Sequence, residues 1–134
     1  MIKAAVIDGN AISRNLLSTL LSNGGFDVVG DGNASSASLA AITRLHPQLV
    51  CIDIGTVDEA GWERLDAIRN GLPKALVFMV SGQFEPATVQ MAAQRGVHGF
   101  IVKPFKEATV LATIRKAVMK VAREHQARST APDA

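Results

Sequence analysis

A chain of 134 residues that is 48% apolar and 19% charged can build one domain with a substantial core and is too apolar for global disorder. Its formal charge of +2 and pI near 9.0 come without a dense basic run, so a nucleic-acid partner is not expected. A single cysteine, Cys51, excludes a disulfide framework or a cysteine-rich zinc site and fits a reducing cytoplasm, and the sequence holds neither a secretory signal nor an apolar stretch of membrane-spanning length.

In chain order, residues 4–7 form an apolar run that reads as a buried strand and ends at Asp8. Ile12, Leu16, Leu17, Leu20 and Leu21 recur at helical spacing and predict a first helix with one apolar face, stopped in left-handed fashion by Gly24 and Gly25. A short run at 28–29 precedes a second helix marked by Leu39, Ile42 and Leu45. That helix ends before Pro47, because the residue preceding a proline is pushed out of the α region. The run 49–54 contains Asp53, and Trp62, Leu65 and Ile68 stripe a third helix closed by Gly71 and Pro73. The run 75–80 leads to Ser81, followed by a fourth helix over about 86–95 whose apolar face, Val89, Ala92 and Ala93, is weak. The last run, 100–102, meets Lys103 and Pro104. Val110, Leu111, Ile114, Ala117, Val118 and Val121 then make a strongly amphipathic fifth helix with Lys116, Lys120 and Arg123 on its outer face. After Arg123 the apolar period fades, so one domain is expected over 1–123 and a polar, flexible tail over 124–134.

Strands that alternate with helices need crossover connections, which argues for an α/β fold with a five-stranded parallel sheet doubly wound by helices. In such a sheet the reaction site forms in the crevice outside the carboxyl ends of the strands. Asp8, Asp53, Ser81, Lys103 and Pro104 all fall at or just beyond those ends. Two carboxylates, a hydroxyl and an ammonium in one crevice suggest phosphoryl chemistry, with Asp53 as nucleophile, Asp8 binding Mg2+, and Lys103 and Ser81 on a phosphoryl oxygen. Singly, each has a plainer role: a strand-end Asp caps the next turn, a strand-end Lys is solvated, and VSG opens a turn. Their joint placement carries the reading. The GDG at 30–32 lacks the third glycine of a dinucleotide fingerprint, no phosphate-binding GxxxxGK[ST] occurs, and His46, His98 and His125 have no metal-ligand spacing.

Over about residues 2–121 the chain resembles the receiver domains of response regulators, of the chemotaxis-regulator type. VIDGNAISR, with Arg14, resembles the first-strand motif; LVCID places the phosphoacceptor at Asp53; VFMVSG places the switch hydroxyl at Ser81; and GFIVKPF places the switch aromatic, lysine and proline at Phe100, Lys103 and Pro104. The resemblance implies a flavodoxin-like (βα)5 sandwich, a cis Lys103-Pro104 bond, and Mg2+ held by Asp8, Asp53 and the backbone carbonyl of Gly55. It further implies a stand-alone, cytoplasmic, bacterial two-component switch rather than a conventional enzyme, catalysing at most its own aspartyl phosphorylation and dephosphorylation. A histidine kinase or phosphotransfer protein would act as donor. A downstream protein effector would dock on the face built from the fourth helix, fifth strand and fifth helix, and pairing of two copies as a homodimer stays open.

The chain also departs from the pattern. Receivers usually carry two adjacent acids after the first strand, and here Gly9 takes the second place, which removes one ligand charge and predicts weakened Mg2+ binding. The usual Met-Pro after the phosphoacceptor is Thr56-Val57. Gly9 motivates the alternative of a degenerate receiver that serves as a phosphorylation-independent protein-interaction module; retention of Asp53, Ser81 and Lys103 favours the switch.

Overall fold

Five parallel strands pair in the order β2-β1-β3-β4-β5, the doubly wound sheet that the alternation of elements requires. The computed structural model describes residues 1–130, with side chains through Ala127. The elements are β1 (Lys3–Ile7), α1 (Ala11–Asn23), β2 (Asp27–Gly32), α2 (Ser36–Arg44), β3 (Leu49–Ile52), α3 (Glu59–Gly71), β4 (Leu76–Ser81), α4 (Pro86–Gln94), β5 (Gly99–Val102) and α5 (Glu107–Thr130). None of the described helices is long and apolar enough to cross a membrane.

The strands are continuous apolar runs because both faces of the sheet are covered. On one face Ile7, Ile52, Val77 and Met79 pack with Ile42 of α2, with Trp62, Leu65 and Ile68 of α3 and with Ala92 of α4. On the other, Val6, Cys51, Phe78, Val80 and Ile101 pack with Leu17 and Leu21 of α1 and with Leu111 and Ile114 of α5. Burial pushes the Cys51 thiol up to about 12, so it is an inert core residue. The α1 stop is a Schellman arrangement: Gly25 at φ 93 donates to the Ser22 carbonyl at 3.2 Å and Phe26 to the Leu21 carbonyl at 3.0 Å.

The structure differs from the pattern of the sequence at three places. Although Leu17 and Leu21 of α1 are buried, Ile12 and Leu16 are 74% and 60% exposed, because their side of the helix faces the open end of the β5–α5 connection rather than the sheet. β2 extends to Gly32, its end sustained by ladder pairing with β1 rather than by apolar residues. The boundary at Arg123 is no break in the backbone, since α5 continues to Thr130. Residues 124–130 are EHQARST, free of the glycine and proline that end helices, so the helix continues although the apolar period is lost. The part of the expected tail at 131–134 lies outside the described residues.

Candidate functional site

Strand register brings the first two carboxylates side by side. Ile7 pairs with Ile52, so Asp8 and Asp53 leave neighbouring strands at the same level, their amides held by the Gly32 carbonyl at 3.0 Å and the Ile7 carbonyl at 2.9 Å respectively. Lys103 arrives from the far edge, its amide donating to the Ser81 carbonyl at 2.9 Å. Its ammonium then spans both acids, 2.7 Å from Asp53 Oδ2 and 2.8 Å from Asp8 Oδ2. Asp8 is only 5% exposed. Partial burial alone would lower the lysine pKa, but hydrogen bonds to Asp53 and Asp8 outweigh it and hold the ammonium above its usual value. The Lys103-Pro104 bond is cis, as the resemblance implies.

The remaining carboxylate oxygens are also engaged. Asp8 Oδ1 accepts the Asn10 amide at 2.8 Å, and Asp53 Oδ1 accepts the Gly55 amide at 2.9 Å. Asn10, a conceivable substitute for the missing acid, spends its side-chain oxygen capping α1 on the Ser13 amide at 3.0 Å. Ser81 sits at the end of β4 but stays outside the charge cluster: its hydroxyl donates to the Gln83 carbonyl at 2.9 Å and accepts the Gln83 amide at 3.2 Å. Phe100 is half-buried on β5, its ring edge-on to Phe84 with centroids 5.1 Å apart.

Two supporting residues, Arg64 and Asp58, escaped sequence reasoning, and Arg14 entered it only as part of the first-strand motif. Arg14 donates to the Asp8 carbonyl at 2.9 Å and lies 3.8 Å from Asp31, tying α1 and β2 to the acidic end of β1. Arg64 donates to the Ile54 carbonyl at 2.7 Å and so pins the chain just past Asp53. Asp58 caps α3, accepting the Gly61 amide and the Thr56 hydroxyl, each at 2.9 Å. Those two bonds, the Gly61 amide first, hold its carboxyl below the ordinary value. Gly61 is required there, because a Cβ would lie 2.1 Å from the Thr56 carbonyl oxygen. The spacing D-x-x-G before a helical stripe was the available signal for this cap. Arg14 and Arg64 act on backbone carbonyls, which leave no side-chain pattern to read.

One ammonium against two carboxylates leaves a net negative crevice, and two carboxylates are a donor number with which Mg2+ is commonly held. Asp8 and Asp53 therefore fit such an ion, as a minimal set. Among the described residues no group of three or more His, Cys, Asp or Glu side chains could hold a metal. At Gly9 a Cβ would meet nothing within 4 Å, so the place for another acid is sterically open. Beside the crevice, Ile12, Leu16, Leu20, Pro104 and Phe105 line a groove of about 610 Å³.

A family model described as the response regulator receiver domain matches residues 4–115. Among curated proteins, the chemotaxis protein CheY of Listeria monocytogenes is 28% identical over 117 residues, covering 87% of this chain and 98% of that protein. Chemotaxis protein CheY4 of Vibrio cholerae shares the fold, with a TM-score of 0.75 at 23% identity over 87% of this chain and 98% of that one. NtrX from Brucella abortus aligns with a TM-score of 0.80 at 28% identity, over 98% of this chain and 30% of that one.

Proposed function

The chain belongs to the response regulator receiver family, and from that premise we propose that it is a phosphorylation-dependent signalling switch with Asp53 as phosphoacceptor. A histidine kinase or phosphotransfer protein is the donor. An Asp53 carboxylate oxygen attacks the phosphorus of a phosphohistidine; the O–P bond forms as the P–N bond breaks, and the bonding pair and a solvent proton go to the departing imidazole. Lys103 exchanges a carboxylate oxygen for a phosphoryl oxygen and keeps the added charge neutralised. Hydrolysis of the acyl phosphate by water returns Asp53 and inorganic phosphate. Receiver domains of this family generally bind Mg2+; here Asp8, Asp53 and the Gly55 carbonyl would hold it, and it would supply charge neutralisation on the phosphoryl oxygens.

Ser81 gives up its Gln83 partners to donate to the phosphoryl group, which pulls on the segment carrying Phe84 and through that ring on Phe100. Output then leaves through the face of α4, β5 and α5 to a protein effector in the cytoplasm. The exposed apolar groove along α1 suits a protein donor better than a small anion.

The observation that carries this reading is the Lys103 ammonium bridging two acids of neighbouring strands at 2.7 and 2.8 Å. Intact-mass measurement after incubation with a small acyl-phosphate donor and Mg2+ tests it: one phosphoryl adduct is expected, absent in Asp53→Asn. Gly9 supports the second reading, a phosphorylation-independent interaction module, and no adduct at any workable Mg2+ concentration would count heavily against the switch.

A further inference from the structure

Apolar packing holds the chain around Asp53 only as far as Ile54. Ile52 and Ile54 are fully buried, whereas residues 55–60 are all exposed. Gly55 stands at φ 80, in the left-handed region that glycine tolerates, and its amide donates to Asp53 Oδ1 at 2.9 Å. The other carboxylate oxygen, Oδ2, belongs to Lys103 at 2.7 Å. The two oxygens of Asp53 are thus held by different kinds of group: a cation on a flexible stem at Oδ2, and a backbone amide at Oδ1.

Arg64 of α3 grips that amide from behind. Its Nη1 donates to the Ile54 carbonyl at 2.7 Å. The Ile54 carbonyl and the Gly55 amide are the two ends of one planar peptide unit, so orienting one orients the other. A cationic donor on the carbonyl also polarises the unit and strengthens its N–H as a donor. A Cβ on Gly55 would lie 3.4 Å from the same Nη1, so the guanidinium stands where a side chain at 55 would otherwise lie. After the hydrogen bonds from Gly61 and Thr56, the charge of Arg64 further lowers the Asp58 carboxyl, so the one guanidinium acts on both ends of the exposed turn.

We propose that Arg64 is a positioning residue for phosphoryl transfer: it fixes and polarises the Ile54-Gly55 peptide, which retains Asp53 Oδ1 and leaves Oδ2 as the attacking oxygen. The role rests on the reading of Asp53 as phosphoacceptor. Oδ2 bonds to phosphorus while Lys103 moves to a phosphoryl oxygen. The bond from phosphorus to the donor breaks, and its electron pair leaves with the donor, as imidazole after taking a solvent proton or as the carboxylate of a small acyl phosphate. Oδ1 becomes the acyl carbonyl oxygen and stays on the Gly55 amide throughout. Lys103 changes partner during the reaction, so the carboxylate keeps its angle only if the other contact does not move with it. A peptide anchored on the helix by arginine's rigid fork supplies that fixed contact.

Phosphoryl uptake by the full chain from a small acyl-phosphate donor with Mg2+, followed by intact mass over a range of donor concentrations, tests this role. In Arg64→Ala the maximal rate should fall about 10-fold while the half-saturating donor concentration changes less than about 2-fold, and Arg64→Lys should recover part of the rate. Exchange of the Gly55 amide, read by NMR, should quicken about 5-fold or more in Arg64→Ala. Arg69→Ala removes another α3 arginine, one that serves the Ala75 carbonyl, and should leave the maximal rate within about 2-fold of wild type. Should Arg64→Ala fail to fold, Arg64→Gln takes its place in the same comparison. An unchanged maximal rate, or an equal fall in Arg69→Ala, overturns the positioning role while the wild-type adduct upholds the phosphoacceptor. A raised half-saturating concentration at full maximal rate puts Arg64 on the donor and overturns it too. Absence of any wild-type adduct overturns the phosphoacceptor reading and the positioning role together.

Discussion

The two ends of the sheet obey opposite electrostatic rules. At the carboxyl ends of the strands lie Asp8, Asp53 and the N-termini of α1 and α3, capped by Asn10 and Asp58. At the amino ends lie helix C-termini and the carbonyls beside them, and there arginines donate: Arg115 to the Gly24 carbonyl at 3.2 Å and Arg69 to the Ala75 carbonyl. In a parallel sheet every helix runs back against the strands, so positive helix ends gather at one rim and negative ends at the other. Carboxylates suit the first rim and cations the second. Lys103, Arg14 and Arg64 are cations at the acidic rim, and of the three it is Lys103 that is held there by two short ion pairs.

The largest expected break of this contrast is Lys103→Met. It strands the buried Asp8 without its partner and should cost about 3 kcal/mol in urea unfolding at neutral pH, whereas Lys74→Met, exposed at the opposite rim, should stay within about 0.5 kcal/mol. Equal losses would dissolve the distinction between the rims. Because the folded lysine pKa is raised, its contribution is fully present below 10.5 and fades as pH climbs through the raised value. An alkaline decline in stability that Lys103→Met lacks is the corresponding signature.

Next comes the loop after Asp53. Gly61→Ala forces a Cβ onto the Thr56 carbonyl and should cost about 2 kcal/mol, while Gly82→Ala, where a Cβ meets nothing within 4 Å, should be near neutral. Thermal melts of the pair decide it, and a harmless Gly61→Ala would mean the loop has room the geometry denies.

Gly9→Asp sharpens the acidic rim without steric conflict. Adding a third negative charge should lower the melting temperature in chelator, tighten Mg2+ about tenfold by titration calorimetry, and speed phosphoryl uptake. Unchanged cation affinity would refute the account of the missing ligand.

The smallest effect belongs to the opposite rim. His98 is exposed overall, yet its Nδ1 edge turns inward to accept the Val77 amide at 3.1 Å. Partial burial first, then Arg69, keep its pKa below the ordinary 6.5. The fold therefore prefers neutral imidazole: this contribution is present above 6.5 and is lost as pH falls below it. The loss should be at most about 0.5 kcal/mol after solvent screening, and absent in His98→Gln, when melts near pH ~7.5 and ~5 are compared.

Much of this was legible in the chain. The five apolar runs and helix stripes placed each element nearly where it lies, and Trp62, Leu65 and Ile68 face the core as their spacing predicts. The α1 stripe misled at Ile12 and Leu16 because periodicity reports which residues share a face, not whether a neighbour covers all of it. Ser81 was placed at the right rim, but its hydroxyl takes the nearer backbone of Gln83, a choice between local and distant acceptors that no pattern encodes.

Local sequence alone determined the order and kind of the elements, since helix and strand periods, caps and stops act over a few residues. It also determined that acids and a lysine would terminate β1, β3 and β5. Strand order and register decided the rest: that one ammonium would meet two carboxylates, the nearer of them 50 positions away in sequence, and that Arg95 would land on Trp62 and Asp66. Those pairings depend on how distant strands and helices pack across the whole sheet, where a single-residue slip would turn every strand-end side chain to the other face.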